Sequence, residues 1–142
     1  MKRILVALDA SGRAERVLGA ALRLADMANA KLVVYRAIGI PPDMPHEMFR
    51  MTDLGMEDYL LAHAHRDLDR LLKDVPKERI EKITTSLATA WDGICTAAKE
   101  NDVDLIVIGS HGYGGLDRLL GTTAGKVVNH ADRNVLVVRT LL

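Results

Sequence analysis

The stretch Val107-Ile-Gly-Ser-His-Gly-Tyr-Gly-Gly-Leu-Asp-Arg-Leu-Leu-Gly-Thr-Thr-Ala124 leaves an apolar strand, crosses a glycine-rich loop and enters a helix behind two threonines. Gly109, Gly112, Gly114 and Gly115 let the backbone take positive φ and approach a ligand closely. Thr122 and Thr123 open the helix, whose first N–H groups lack intrahelical partners and attract anions; Thr122 also reads as its N-cap. A strand, a glycine loop and a helix start in this order form a phosphate cradle, which points to a nucleotide as ligand.

Working outward, Leu105-Ile-Val-Ile108 is a continuous apolar run, the pattern of a strand covered on both faces. Ile4-Leu-Val-Ala-Leu8 is another, followed by the turn Asp9-Ala-Ser-Gly12 and by Ala14, Val17, Leu18, Ala21, Ala25 and Ala28 at helical spacing. Lys31-Leu-Val-Val-Tyr-Arg-Ala37 reads as a second strand. Residues 38–54 have no period and contain Pro41, Pro42 and Pro45, so they read as one long loop. Leu60, Ala64, Leu68, Leu71 and Leu72 mark a second helix, closed by Val75-Pro76. The strand Ile80 to Leu87 carries Thr84, Thr85 and Ser86 and belongs at a sheet edge. Ile94, Ala97 and Ala98 place a third helix, Ala124, Val127, Val128 and Ala131 a fourth, and Val135-Leu-Val-Val138 the last strand.

Strict alternation of strand and helix predicts an α/β fold, an open parallel sheet with helices on both faces and right-handed crossovers. Ligands of such sheets sit beyond the carboxyl ends of the strands where strand order reverses. Asp9 and Gly109 stand at two such ends and are expected to share a crevice. Asp9 either contacts the ligand there or closes the turn before Gly12; His111 either bonds a phosphate oxygen or is solvated.

The 142 residues make one domain, 1–142, with 49% apolar and 27% charged residues. Nineteen basic side chains balance nineteen acidic ones, so no global field draws the chain to DNA or RNA. No run approaches the length of a membrane span. Cys95 is the only cysteine, which excludes an internal disulfide and a cysteine-based zinc site and fits a reducing compartment; the expected location is cytoplasmic. The apolar run behind Lys2 and Arg3 ends at Asp9 and reads as the first strand of the fold, not a signal peptide.

Other motifs fail on spacing. Gly121-Thr-Thr-Ala-Gly-Lys126 has three residues where a P-loop has four, and Val127 replaces the metal-binding hydroxyl. Gly112-Tyr-Gly114 begins like a dinucleotide fingerprint, but Asp117 replaces its third glycine. His63 and His65 are two apart, not the four that pair zinc ligands on a helix. Cys95 reads as a small buried hydrophobe, and Trp91 as a cover for the start of the third helix. Met44, Met48, Met51 and Met56 enrich the loop after strand two, as a lid over the nucleotide, a partner patch, or a segment packed on its own domain or a dimer mate.

The whole chain resembles the universal stress protein family. The resemblance rests on Gly109-Ser-His-Gly112, on Gly121-Thr122, and on His130-Ala-Asp-Arg-Asn-Val-Leu-Val-Val-Arg139. ATP-binding members show Gly, two residues, Gly, nine residues, Gly, then Ser or Thr. Here Gly112 and Gly121 enclose the eight residues 113–120, one fewer, as in some members also regarded as nucleotide binders.

The resemblance implies a Rossmann-like sheet of order 3-2-1-4-5 and a site for ATP, or another adenine nucleotide, with Mg²⁺ or Mn²⁺. Gly109, Gly112, Gly121 and Thr122 would hold phosphates and ribose, with Ser110, His111 and Thr123 beside them. Asp9 would bond the ribose or a metal-bridged phosphate, and the backbone of Ala37 would meet adenine. Val135-Leu-Val-Val138 becomes an edge strand, an aggregation liability unless covered, and the family's pairing of this strand implies a homodimer. The expected function is a nucleotide-dependent sensor or regulator in the stress response with slow or no hydrolysis, since no general base or arginine finger is evident. The alternative is a nucleotide-free dimeric interaction protein of the same fold.

Overall fold

The computed structural model describes residues 1–39, 54–110 and 120–140. The elements are β1 (Arg3–Ala7), α1 (Ala14–Ala28), β2 (Lys31–Ile38), α2 (Leu54–Leu71), a short 3-10 turn at Lys77–Arg79, β3 (Ile80–Leu87), α3 (Ala90–Glu100), β4 (Leu105–Gly109), α4 (Thr122–His130) and β5 (Asn134–Val138). All strand pairs are parallel and the order is β3-β2-β1-β4-β5, as the alternation and the resemblance imply. Order therefore reverses between β1 and β4.

Successive strand residues face opposite sides of a sheet, and this periodicity divides the core in two. Ile4, Val6, Leu8, Leu32, Val34, Leu105 and Val107 meet Val17, Leu18 and Ala21 of α1 and Leu68 of α2. Leu5, Val33, Tyr35, Ile106 and Ile108 meet Ile94, Ala97 and Ala98 of α3 and Ala124 and Val127 of α4. Each buried Val, Leu or Ile among them contributes roughly 1.5–3 kcal/mol by leaving water. The three central strands have residues in both clusters, which is why their sequences are nearly continuously apolar. β3, on one edge, is only partly buried along most of its length, in keeping with its hydroxyl-rich sequence.

Several local expectations need correction. α2 starts at Leu54, so Met56 lies in a helix and not in the loop, and the helix ends at Leu71 ahead of Val75-Pro76. Its first turns place Gly55, Asp58 and Tyr59 in solvent and so carry no apolar period to announce them. Thr122 is not the N-cap of α4. Gly121 holds that place in extended conformation (φ −61°, ψ 163°), its carbonyl accepts the Gly125 amide, and the threonines follow as exposed first-turn residues. Among the described residues, no helix is long and apolar enough to cross a membrane. Met44, Met48, Met51, His111, Gly112, Gly114, Gly115 and Arg118 lie outside the described residues.

Candidate functional site

At the order reversal a cavity of about 270 Å³ opens over the carboxyl ends of the strands. Its lining includes Asp9, Ala37, Gly109, Thr122 and Thr123, five of the residues singled out from sequence. Tyr35, Arg13, Arg36 and Thr140 join them without having been anticipated. The volume is near the lower end for small-molecule sites, and the mixture of an apolar floor with a few converging polar groups is typical of them.

Asp9 closes the turn after β1. Its Oδ1 accepts the Ser11 amide at 2.9 Å and the Ser11 hydroxyl at 2.6 Å, and Ser11 Oγ in turn accepts the Arg13 amide at 3.2 Å. The turn-closing reading of Asp9 therefore holds, and it is compatible with a ligand contact, since Asp9 also lines the cavity. Arg36, 7% exposed, supports this turn from the α1 side of the sheet by donating to Leu8 O and Asp9 O, each at 2.8 Å. Its third bond, to Asp67 Oδ2 at 2.6 Å, holds the Asp67 carboxyl below the usual carboxylate range.

The far wall is built by the close of the glycine loop. Ser110, 5% exposed, donates its amide to Val138 O at 2.9 Å, accepts the Thr140 amide on Oγ at 3.2 Å and accepts the Gly121 amide on its carbonyl at 3.4 Å. These bonds draw Gly109, Thr122 and Thr140 together, while Ser110 and Gly121 are buried behind the cavity and do not line it. Among the described residues no side chain caps α4, whose first amides lie beside Thr122 and Thr123.

The floor is Tyr35, 2% exposed, whose hydroxyl shares a 2.5 Å bond with Ser86 Oγ; burial pushes its phenol pKa up. Gly93 of α3 permits this arrangement, because a Cβ there would fall 2.1 Å from the Tyr35 hydroxyl.

The remaining candidates stand apart from the cavity. Lys126 lies 5.5 Å over the Trp91 ring, and His130 packs on the same indole at 4.8 Å. Trp91 thus bridges α3 to α4 instead of merely covering the start of α3. His63 stacks on Tyr59, while His65 bonds Thr85 at 3.2 Å, the divergent directions expected from their spacing. Cys95 is half-buried against the second core cluster, and burial pushes its thiol pKa up. Among the described residues, no group of three or more His, Cys, Asp or Glu side chains gathers to hold a metal.

Arg36, Arg13 and Thr140 escaped sequence reasoning. Arg36 alone gave a signal, since a charge inside an apolar strand of a doubly covered sheet must find partners.

A parallel sheet of order β3-β2-β1-β4-β5 with helices on both faces and a cavity at its order reversal defines an α/β domain of the doubly wound class. The profile of the Universal stress protein family matches residues 1–139, and the chain belongs to that family. It is 32% identical over 138 residues to "Universal stress protein A homolog 1" of Coxiella burnetii (strain RSA 493 / Nine Mile phase I), covering 96% of this chain and 95% of the relative. Universal stress protein UspA from Lactobacillus plantarum has a similar structure, with TM-score 0.73, 25% identity and 97% of each chain covered.

Two further structures share the fold. A universal stress protein in complex with cAMP has TM-score 0.67 and 24% identity, covering 99% of this chain and 98% of its own. The universal stress protein from Archaeoglobus fulgidus in complex with dAMP has TM-score 0.59 and 23% identity, covering 96% of this chain and 97% of its own.

Proposed function

We propose that this chain is a stress-response protein that binds an adenine nucleotide, ATP with Mg²⁺ or Mn²⁺ in the first instance, and acts as a nucleotide-dependent sensor or regulator in the cytoplasm. One observation carries the reading: Asp9, Ala37, Gly109, Thr122 and Thr123, distant in sequence, line one cavity at the reversal of strand order. The amides at the start of α4 suit phosphate, and Ala37 near the end of β2 suits the base. The cAMP and dAMP bound to two proteins of this fold support adenine as that base.

The donor set fits a metal that arrives with the phosphates. Mg²⁺ is commonly held by one or two carboxylates together with substrate phosphates, and Asp9 is the one carboxylate among the described lining residues. Asp9 would hold such an ion, whose charge would offset that of the phosphates. Hydrolysis is slow or absent on this reading, because Asp9 is already engaged by Ser11 and no other described lining group is placed to serve as a base.

Thermal unfolding with ATP and Mg²⁺, with GTP and Mg²⁺, and with neither tests the proposal. A ligand at 100 times its Kd stabilises by ~2.7 kcal/mol, a rise on the order of 5–10 °C for a chain of this length. An ATP-selective rise supports the reading. No shift at millimolar ATP, with no nucleotide co-purified, would favour the nucleotide-free interaction protein, the reading to which the eight residues 113–120 lend weight.

The homodimer belongs to the same proposal. Among the described residues β5 pairs only with β4, and its Leu136 is 38% exposed. Antiparallel addition of a second copy's β5 would cover the edge of β5 away from β4. Sedimentation at micromolar concentration showing only a 15.6 kDa species would refute it.

A further inference from the structure

Among the described residues Arg36 is the only charged side chain that is buried. Its position follows from where the β1 ladder stops. β1 ends at Ala7, and the carbonyls of Leu8 and Asp9 continue beyond it toward the cavity. The Arg36 guanidinium takes both, Nε donating to Leu8 O and Nη2 to Asp9 O at 2.8 Å each, so one planar group fixes two successive peptide units. Beyond them Asp9 holds Ser11, and Ser11 holds the Arg13 amide, an unbroken run of bonds from the guanidinium to the start of α1.

What holds Arg36 is Asp67, through the 2.6 Å bond from Nη1. Asp67 is on α2 and does not line the nucleotide cavity. It borders a second hollow of about 250 Å³ with Ser11, Gly12 and Arg70, and Asp9, Ala14 and Arg36 line both spaces. The Asp67 side chain is 42% exposed, so its replacement perturbs the surface of α2 and leaves the Arg36 guanidinium held by the two carbonyls alone.

We propose that Arg36 is the positioning residue of the nucleotide site and that Asp67, from outside the cavity, sets the site's affinity by fixing the Arg36 guanidinium. The affinity claim rests on the adenine-nucleotide reading; the claim that the pair holds the turn does not. In this arrangement α2 is coupled to the site through one ion pair. A change in α2 that withdraws Asp67 loosens the Asp9 turn, and by reciprocity nucleotide bound against Asp9 favours the α2 position that keeps the pair closed.

The test uses Asp67→Asn, Asp67→Glu and Arg36→Lys in the full chain, with two readouts. The first is ATP–Mg²⁺ affinity by calorimetry at a temperature where every variant is folded. Asp67→Asn is expected to weaken binding by about five- to tenfold, the scale of coupling between distinct sites, and Asp67→Glu to recover most of the loss. The second is amide hydrogen exchange without nucleotide. Asp67→Asn is expected to speed exchange at the Ser11 and Arg13 amides by at least about tenfold, the signature of local opening, while β1 and β4 stay protected. Arg36→Lys should do the same, since a single ammonium cannot reproduce a three-way planar fork.

Wild-type exchange at Ser11 and Arg13 in Asp67→Asn would overturn the proposal, as would uniformly faster exchange throughout the chain, which marks a merely structural pair. A loosened turn with unchanged ATP affinity would overturn the affinity claim. A wild-type chain that binds no adenine nucleotide would refute the nucleotide reading and the affinity claim with it, and the exchange result would then decide whether the pair holds the turn.

Discussion

Gly93 and Gly125 are both helical glycines, yet replacing each with alanine should move stability in opposite directions. Alanine is favoured over glycine inside a helix by about 1 kcal/mol. At Gly125 in α4 no atom of the described residues outside its own helix turn lies within 4 Å of an added Cβ, so the propensity gain stands alone. At Gly93 in α3 the new Cβ would lie 2.1 Å from the Tyr35 hydroxyl, with Tyr35 Cζ and Ala88 Cβ each at 3.1 Å. The hydroxyl cannot swing away, because it ends a rigid ring that is 2% exposed and bonded to Ser86.

Overpacking of this kind costs roughly 1–3 kcal/mol, and losing the Tyr35–Ser86 bond adds about 1 kcal/mol. Subtracting the propensity gain leaves Gly93→Ala less stable by about 1–3 kcal/mol. At about 4 °C per kcal/mol for this chain length, Tm falls by about 4–12 °C, whereas Gly125→Ala raises it by up to about 4 °C. Urea and thermal unfolding followed by circular dichroism measure both. The Tyr35→Phe background isolates the cause: with the hydroxyl gone, Gly93→Ala should cost at least about 1 kcal/mol less than in the parent. If Gly93→Ala raises Tm as Gly125→Ala does, or costs the same in both backgrounds, the close approach of Tyr35 is not what demands glycine.

Asp104 Oδ2 accepts the Lys2 and Arg3 amides at 2.6 and 3.0 Å, and these bonds hold its carboxyl below the usual range. A depressed carboxylate contributes stability that is present above its unfolded pKa and lost as pH falls through its folded one. Asp104→Asn should therefore lower the urea midpoint at pH 7 and approach the parent as the pH is taken below the ordinary carboxylate range; a deficit that does not shrink contradicts this. Burial raises the Cys95 thiol pKa, so alkylation at pH 8 should be slower than for free cysteine and should accelerate in denaturant. Labelling of the folded chain at the free-cysteine rate would contradict that.

The sheet was legible because its central strands are buried on both faces, which leaves near-continuous apolar runs at Ile4, Leu32 and Leu105 that no amphipathic helix would show. The meeting of Asp9 and Gly109 was legible for a topological reason, since both stand at strand carboxyl ends on either side of the order reversal. Helix ends were less so. Thr122 has the chemistry of a cap, but the backbone gives that place to Gly121, and a threonine offers the same side chain to either position.

Arg36 shows why a site's support is harder to read than its rim. On β2 the alternation Leu32, Val34, Arg36 puts the arginine on the same face as two fully buried aliphatics, where the pattern alone asks for another. An arginine is tolerated there because β1 ends: the carbonyls of Leu8 and Asp9 lie past its last residue, and a planar donor suits two successive acceptors. Its compensating charge comes from Asp67, 31 residues later and on a helix whose own periodicity concerns only Leu68 and its neighbours. Local pattern can show that such a charge needs partners. Which partners it takes depends on where β1 ends and on which α2 residue packs beside β2, and that is a property of the folded sheet alone.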